Sequence, residues 1–228
     1  MKKLIFILLL LIIISDSSAY KQILYGEYNE NLFSSYIDVP IVAVSSDMKS
    51  GVAGWMRIGF IEGTGNNIVF DERTGVDRAA IESAINAITF VESYLNVSHD
   101  YFISYDLRSE KVSGGSTGSS LALGIIALSK NKSINNNTLI TGAIDSEGNL
   151  LETGGIHIKA AVAAASGYKK MIIPLNSSEY IIYEKHISGN NSYYMAKKIS
   201  IIDYALANYG LEMSECNNLK TCITYIMA

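Results

Sequence analysis

The chain has 228 residues, of which 49% are hydrophobic and 18% charged, and its formal net charge is −4. That length fits one domain with extensions, and the hydrophobic share is enough for a sizeable core. The basic residues are scattered, which excludes the clustered face that nucleic-acid binding requires, and there are too few prolines for a proline-rich linker.

Lys2 and Lys3 open the chain, Leu4 to Ile14 is an unbroken apolar run, and Ser15 to Ala19 is small and polar. The run is shorter than the roughly 20 residues a membrane-spanning helix needs. Residues 1–19 therefore read as a secretory signal peptide, with a retained N-terminal membrane anchor as the alternative. Either way the remainder is expected outside the cytoplasm, secreted or held at a membrane by its N-terminus.

Residues 20–38 are polar and aromatic with no clear period, and are expected to form a leader. Strands are predicted over Val39 to Ser46, Ala53 to Glu62 and Asn67 to Phe70, as an antiparallel meander with a turn at Asp47 to Gly51. Val76 to Leu95 is predicted helical, because Ala80, Ile81, Ala84, Ile85, Ile88, Val91 and Leu95 recur at helical spacing. Tyr101 to Leu107 reads as a strand, Ser113 to Gly118 as a glycine- and serine-rich loop, and Ser119 to Ser129 as an apolar helix. A strand over Thr138 to Ile144, a turn at Ser146 to Asn149, a helix over Ile156 to Ser166 and a strand over Lys170 to Leu175 follow. A helix from Ser177, a strand near Ile199 to Ile201 and a helix over Asp203 to Tyr209 complete the pattern. The fold class is mixed α/β, with a domain over 39–210 and a C-terminal tail over 211–228. Cys216 and Cys222 are the only cysteines; in an exported protein they suit a disulfide closing a small loop, with two free thiols as the alternative. Asn-x-Ser/Thr sequons occur at Asn96, Asn131, Asn136, Asn176 and Asn190, a weak signal in an asparagine-rich chain.

The candidate chemistry lies in Gly114-Gly115-Ser116-Thr117-Gly118, between a predicted strand and a predicted helix. Glycines allow a sharp turn and a close approach. A helix start offers unpaired N–H groups that stabilise a phosphate or the oxyanion of acyl transfer. A second segment runs Thr141-Gly142, Gly148, then Gly154-Gly155-Ile156-His157-Ile158-Lys159. Lys159 opens onto an alanine-rich helix, and a lysine among apolar groups loses its proton more readily, as a base for a serine must.

From about Glu110 to Pro174 these motifs resemble the proteolytic domain of the Lon protease family. The resemblance implies a ribosomal-protein-S5-domain-2-like fold and a serine–lysine dyad peptidase. Ser116 takes the nucleophile's position and Lys159 that of its base. Thr141 is implied to orient the amine, backbone N–H groups around Gly115 and Ser116 to hold the oxyanion, and Glu110 to match an acidic residue of some archaeal-type members. Two positions depart from the pattern: Ser113 and Ala143 stand where acidic residues are common. The sequence contains no Walker loop, so an ATP-independent, stand-alone form acting on unfolded or peptide substrates is expected. No cofactor or metal is implied and polypeptides are the expected partners; the resemblance leaves open a monomer, a homo-oligomeric ring or part of a larger membrane assembly.

Ser119 and Ser120 are rival nucleophiles but fall in a helix's first turn. His99 and His157 lack the spaced acid of a triad and are expected at the surface, and His186 lies outside the matched region with no predicted role. Two other readings compete: a peptide-binding module without catalysis, and a small-molecule kinase of the GHMP class, whose phosphate loop resembles Gly115 to Leu121. The kinase reading leaves Gly154 to Lys159 without a role.

Overall fold

A computed structural model describes residues 21–45, 47–107, 111–189 and 191–227. The strands are β1 (Gln22–Gly26), β2 (Phe33–Val44), β3 (Gly51–Ile61), β4 (Asn67–Asp71), β5 (Gly75–Val76), β6 (Asp100–Asp106), β7 (Lys111–Val112), β8 (Thr138–Ile140), β9 (Ala143–Ile144), β10 (Leu150–Leu151), β11 (Lys170–Pro174), β12 (Glu179–Ser188), β13 (Asn191–Ser200) and β14 (Glu212–Cys216). The helices are α1 (Arg78–Leu95), α2 (Gly118–Ser129), α3 (Ile156–Ala165), α4 (Ile201–Tyr209) and α5 (Leu219–Cys222). The mixed α/β class follows directly.

The larger sheet runs β1-β4-β6-β3-β2. Helices α1 and α2 share one hydrophobic core with it, including Phe70, Phe90, Tyr101, Ile58 and Leu121. Helix α1 buries the stripe Ala80, Ile81, Ala84, Ala87, Ile88 and Val91. It begins at Asp77, whose carboxylate accepts from the Ala80 N–H at 2.8 Å, and ends at Asn96 in the left-handed region, where asparagine costs little. Helix α2 is buried continuously from Gly118 to Ala127, as its all-round apolar sequence requires. A Cβ on Gly124 would lie 2.4 Å from Ile58 Cδ1 and 2.6 Å from Val39 Cγ2, so any larger residue there must push these side chains or the helix aside.

The smaller sheet is parallel, in the order β14-β11-β8. It packs with α3 and α4 around Leu139, Ile173, Ala160, Ala163, Ala205 and Leu211. Cys216 and Cys222 form a disulfide that joins the end of β14 to α5.

Four expectations change. The opening strands are not a meander: β2 and β3 form an antiparallel pair, but β3's second neighbour is β6, and β4 lies between β6 and β1, parallel to both. The residues expected as a leader supply β1 and the beginning of β2. A short parallel edge strand carries no turn signal, because its partner lies far along the chain. The helix expected from Ser177 is instead the hairpin β12–β13, paired from Glu179↔Ser200 to Ser188↔Asn191. Ile181, Ile182, Tyr183 and Ile187 are β-branched and aromatic residues that favour strands. The strand expected over Thr138 to Ile144 breaks at Thr141-Gly142, where Gly142 has φ of 151°.

Residues 1–20, which hold the apolar run, and Glu110 lie outside the described residues. Among the described residues, no helix is long and apolar enough to cross a membrane.

Candidate active site

Three segments converge. The first is the loop entering α2. Ser116 is partly exposed there, and its hydroxyl has no hydrogen-bond partner among the described residues. Its carbonyl is held twice, by the Gly142 N–H at 2.9 Å and by the Thr141 hydroxyl at 3.3 Å. The Gly115 carbonyl accepts from the Gly118 N–H at 3.0 Å and from the Ser83 hydroxyl of α1 at 2.7 Å. The N–H groups of Gly115, Ser116 and Thr117 donate to no acceptor among the described residues, so they stand ready for an anion.

The second segment is the end of β8. Thr141 is 1% exposed, and its N–H donates to the Ile172 carbonyl of β11 at 3.0 Å. The β-ladder thus extends to the residue that meets Ser116.

The third is the start of α3. Gly155 caps this helix in the left-handed region, with φ of 71°; Gly154 and Gly155 turn the chain so that Lys159 lies one turn inside. Lys159 is 1% exposed. Its amine hydrogen-bonds to the hydroxyls of Thr141 and Thr153, each at 3.1 Å. Burial depresses the amine from its ordinary 10.5 to about 8, with no carboxylate among these contacts to hold the proton.

Ser116, Thr141 and Lys159 therefore sit together, the serine carbonyl and the lysine amine joined through one threonine hydroxyl. Gly115 forms the adjacent bend. Thr153 was not anticipated; its only sequence signal is its place before Gly154-Gly155. Asp77 and Ser83 were missed as well, because the fold brings them to the loop from more than thirty residues away.

The rival serines are both buried. Ser120 donates to the Ile140 carbonyl at 2.8 Å, and the Ser119 hydroxyl is buried without a partner among the described residues. The histidines stack on aromatic rings rather than standing free: His99 on Phe60, His157 on Tyr180 and His186 on Tyr193. Burial lowers the His157 pKa. Thr153 and Gly155 also line a groove of about 300 Å³, bordered by His157, Tyr180 and Glu179. A larger concavity of about 820 Å³ contains none of the converging residues; there Arg57 pairs with Asp38, and Arg73 with Asp71.

Among the described residues no cluster of His, Cys, Asp and Glu could hold a metal ion. The arrangement offers a hydroxyl, a buried amine ready to lose its proton and free N–H groups, which together suit acyl transfer.

Comparison with known proteins points the same way. Residues 78–207 match the Lon protease (S16) C-terminal proteolytic domain, a stretch that contains Ser116, Thr141, Thr153 and Lys159. An archaeal Lon protease of Thermoplasma acidophilum is 31% identical over 80 residues, covering 35% of this chain and 12% of that protein. The archaeal Lon protease of Archaeoglobus fulgidus is 26% identical over 136 residues, covering 58% of this chain and 21% of that protein. This chain thus spans about a fifth or less of the length of these relatives.

Proposed function

The chain belongs to the Lon protease (S16) C-terminal proteolytic domain family, and from that membership we propose that it is a serine endopeptidase using Ser116 as nucleophile and Lys159 as general base. One observation carries the reading: the amine of Lys159 is buried against hydroxyls alone and depressed to about 8. A surface lysine would keep its proton at neutral pH.

A bound peptide brings its scissile carbonyl over Ser116 and draws hydroxyl and amine together, the tightening expected when a substrate completes such a site. Neutral Lys159 takes the hydroxyl proton as Oγ attacks the carbonyl carbon. The N–H groups of Gly115, Ser116 and Thr117 stabilise the oxyanion. The lysine ammonium then protonates the departing amine, leaving an ester on Ser116. Water attacks that ester, Lys159 accepts its proton, and the acid product leaves as Ser116 regains its hydrogen. Thr141 and Thr153 hold the amine in place throughout.

The activity is ATP-independent and directed at unfolded chains or peptides. It operates outside the cytoplasm, with residues 1–19 as signal or anchor. The Cys216–Cys222 disulfide supports an oxidising compartment. The groove beside Thr153 receives a substrate side chain.

The test is cleavage of casein and a fluorogenic peptide by the purified protein, with and without ATP, beside Ser116→Ala and Lys159→Ala. The proposal expects ATP-independent cleavage and two folded but inactive variants. Equal cleavage by all three would place the chemistry elsewhere. Nucleotide hydrolysis or phosphoryl transfer without proteolysis would favour a kinase.

A further inference from the structure

The loop carrying Ser116 is held from α1 by a carboxylate that the reaction itself does not use. Asp77 caps α1 through the Ala80 N–H at 2.8 Å. The same carboxylate accepts from the Gly114 N–H, at 3.2 Å to Oδ1 and 3.1 Å to Oδ2, and from the Ser113 hydroxyl. Less than two turns along the helix, Ser83 donates to the Gly115 carbonyl at 2.7 Å. One helix end therefore grips successive residues leading into Ser116.

The peptide unit gives this grip a consequence. A trans peptide is planar, with its C=O and N–H pointing in opposite directions. Holding the Gly115 carbonyl against Ser83 thus sets the direction of the Ser116 N–H, one of the unpaired donors. Gly114 lies just before that peptide in the left-handed region, with φ of 82°, and a Cβ there would meet nothing within 4 Å. The contact that fixes Gly114 from α1 is its N–H donated to Asp77.

We propose that Asp77 is a positioning residue that orients the nucleophile loop, holding Ser113 and Gly114 so that the Ser116 N–H faces the developing oxyanion. The inference rests on Ser116 being the nucleophile. Asp77 does not touch the substrate; it acts through the loop backbone, with Ser83 as its partner on α1.

Asp77→Asn and Asp77→Ser both retain a side chain that can cap α1, so folding is preserved. Steady-state peptide cleavage, the rate of Ser116 labelling by a fluorophosphonate and thermal unfolding are measured for each. Donor misplacement predicts a fall in kcat and labelling rate of about 10–100-fold, the scale of a weakened oxyanion donor, with KM within a few-fold and the melting temperature nearly unchanged. The double variant Asp77→Ser/Ser113→Asp returns a carboxylate to the same contact from the loop side and recovers most of the lost kcat. Single variants with wild-type kcat and labelling would overturn the proposal. So would a loss that follows melting temperature alone, without rescue in the double variant. Ser116→Ala separates the two levels. If it is inactive while the Asp77 variants work normally, only the positioning role fails. If it cleaves as well as wild type, the nucleophile assignment fails and this inference with it.

Discussion

Replacing Lys159 with methionine should stabilise the protein while abolishing its activity. The side chain is 1% exposed, and burial lowers its pKa from 10.5 to about 8. At about 1.4 kcal/mol per unit, carrying the proton in the folded state costs about 3 kcal/mol. The sign follows from linkage: between about pH 8 and 10.5 the unfolded chain binds the extra proton, so stability rises with pH across that window. Below it the penalty is present in full, and above it the penalty is gone. Methionine fills a similar volume without a charge, but it removes the hydrogen bonds from the amine to the Thr141 and Thr153 hydroxyls, at roughly 1 kcal/mol each. Lys159→Met should therefore be about 1 kcal/mol more stable than wild type near pH 7, and the advantage should vanish or reverse near pH 11. Denaturant unfolding of both proteins at a series of pH values reads this difference directly. A variant less stable than wild type at pH 7, by an amount independent of pH, would refute a buried, depressed amine.

The same amine predicts that kcat/KM rises with pH through about 8 and levels off above it, because only the neutral form accepts the serine proton; a flat profile from pH 6 to 10 would contradict this. Thr141→Val removes the hydroxyl joining the Ser116 carbonyl to the Lys159 amine, and should lower kcat by about 10–100-fold with little change in peptide affinity, as steady-state kinetics would show. Gly124→Ala forces a methyl group against Ile58 and Val39 and should cost about 1–3 kcal/mol by denaturant unfolding. Opening the Cys216–Cys222 loop, with its separation of 6 residues, should cost roughly 2 kcal/mol on the chain-entropy account, measured as the unfolding difference between Cys216→Ser/Cys222→Ser and wild type.

Much of this architecture was legible in the sequence where the pattern is local. Helix α1 announces itself by the spacing of Ala80, Ile81, Ala84, Ile88 and Val91, and α3 by alanines between Gly155 and Gly167. Strand β1 gave no such sign, because it pairs with β4 across more than forty residues. The helix expected from Ser177 is replaced by the β12–β13 hairpin, whose β-branched and aromatic residues favour strands. At the site, Ser116, Thr141 and Lys159 could be picked out because each sits in a glycine-marked motif. Thr153, Ser83 and Asp77 could not, because a hydrogen bond formed by tertiary folding leaves no periodic trace. The acidic position at Ser113 looked empty for the same reason; the fold brings the Asp77 carboxylate to it.

The most direct test of the account is to find which serine becomes acylated. The purified protein is treated with a fluorophosphonate at pH 8 and mapped by peptide mass spectrometry. The account predicts a single adduct on Ser116, formed far more slowly in Lys159→Met. An adduct on Ser113, Ser119 or Ser120, or labelling of Ser116 at the same rate without Lys159, would contradict it.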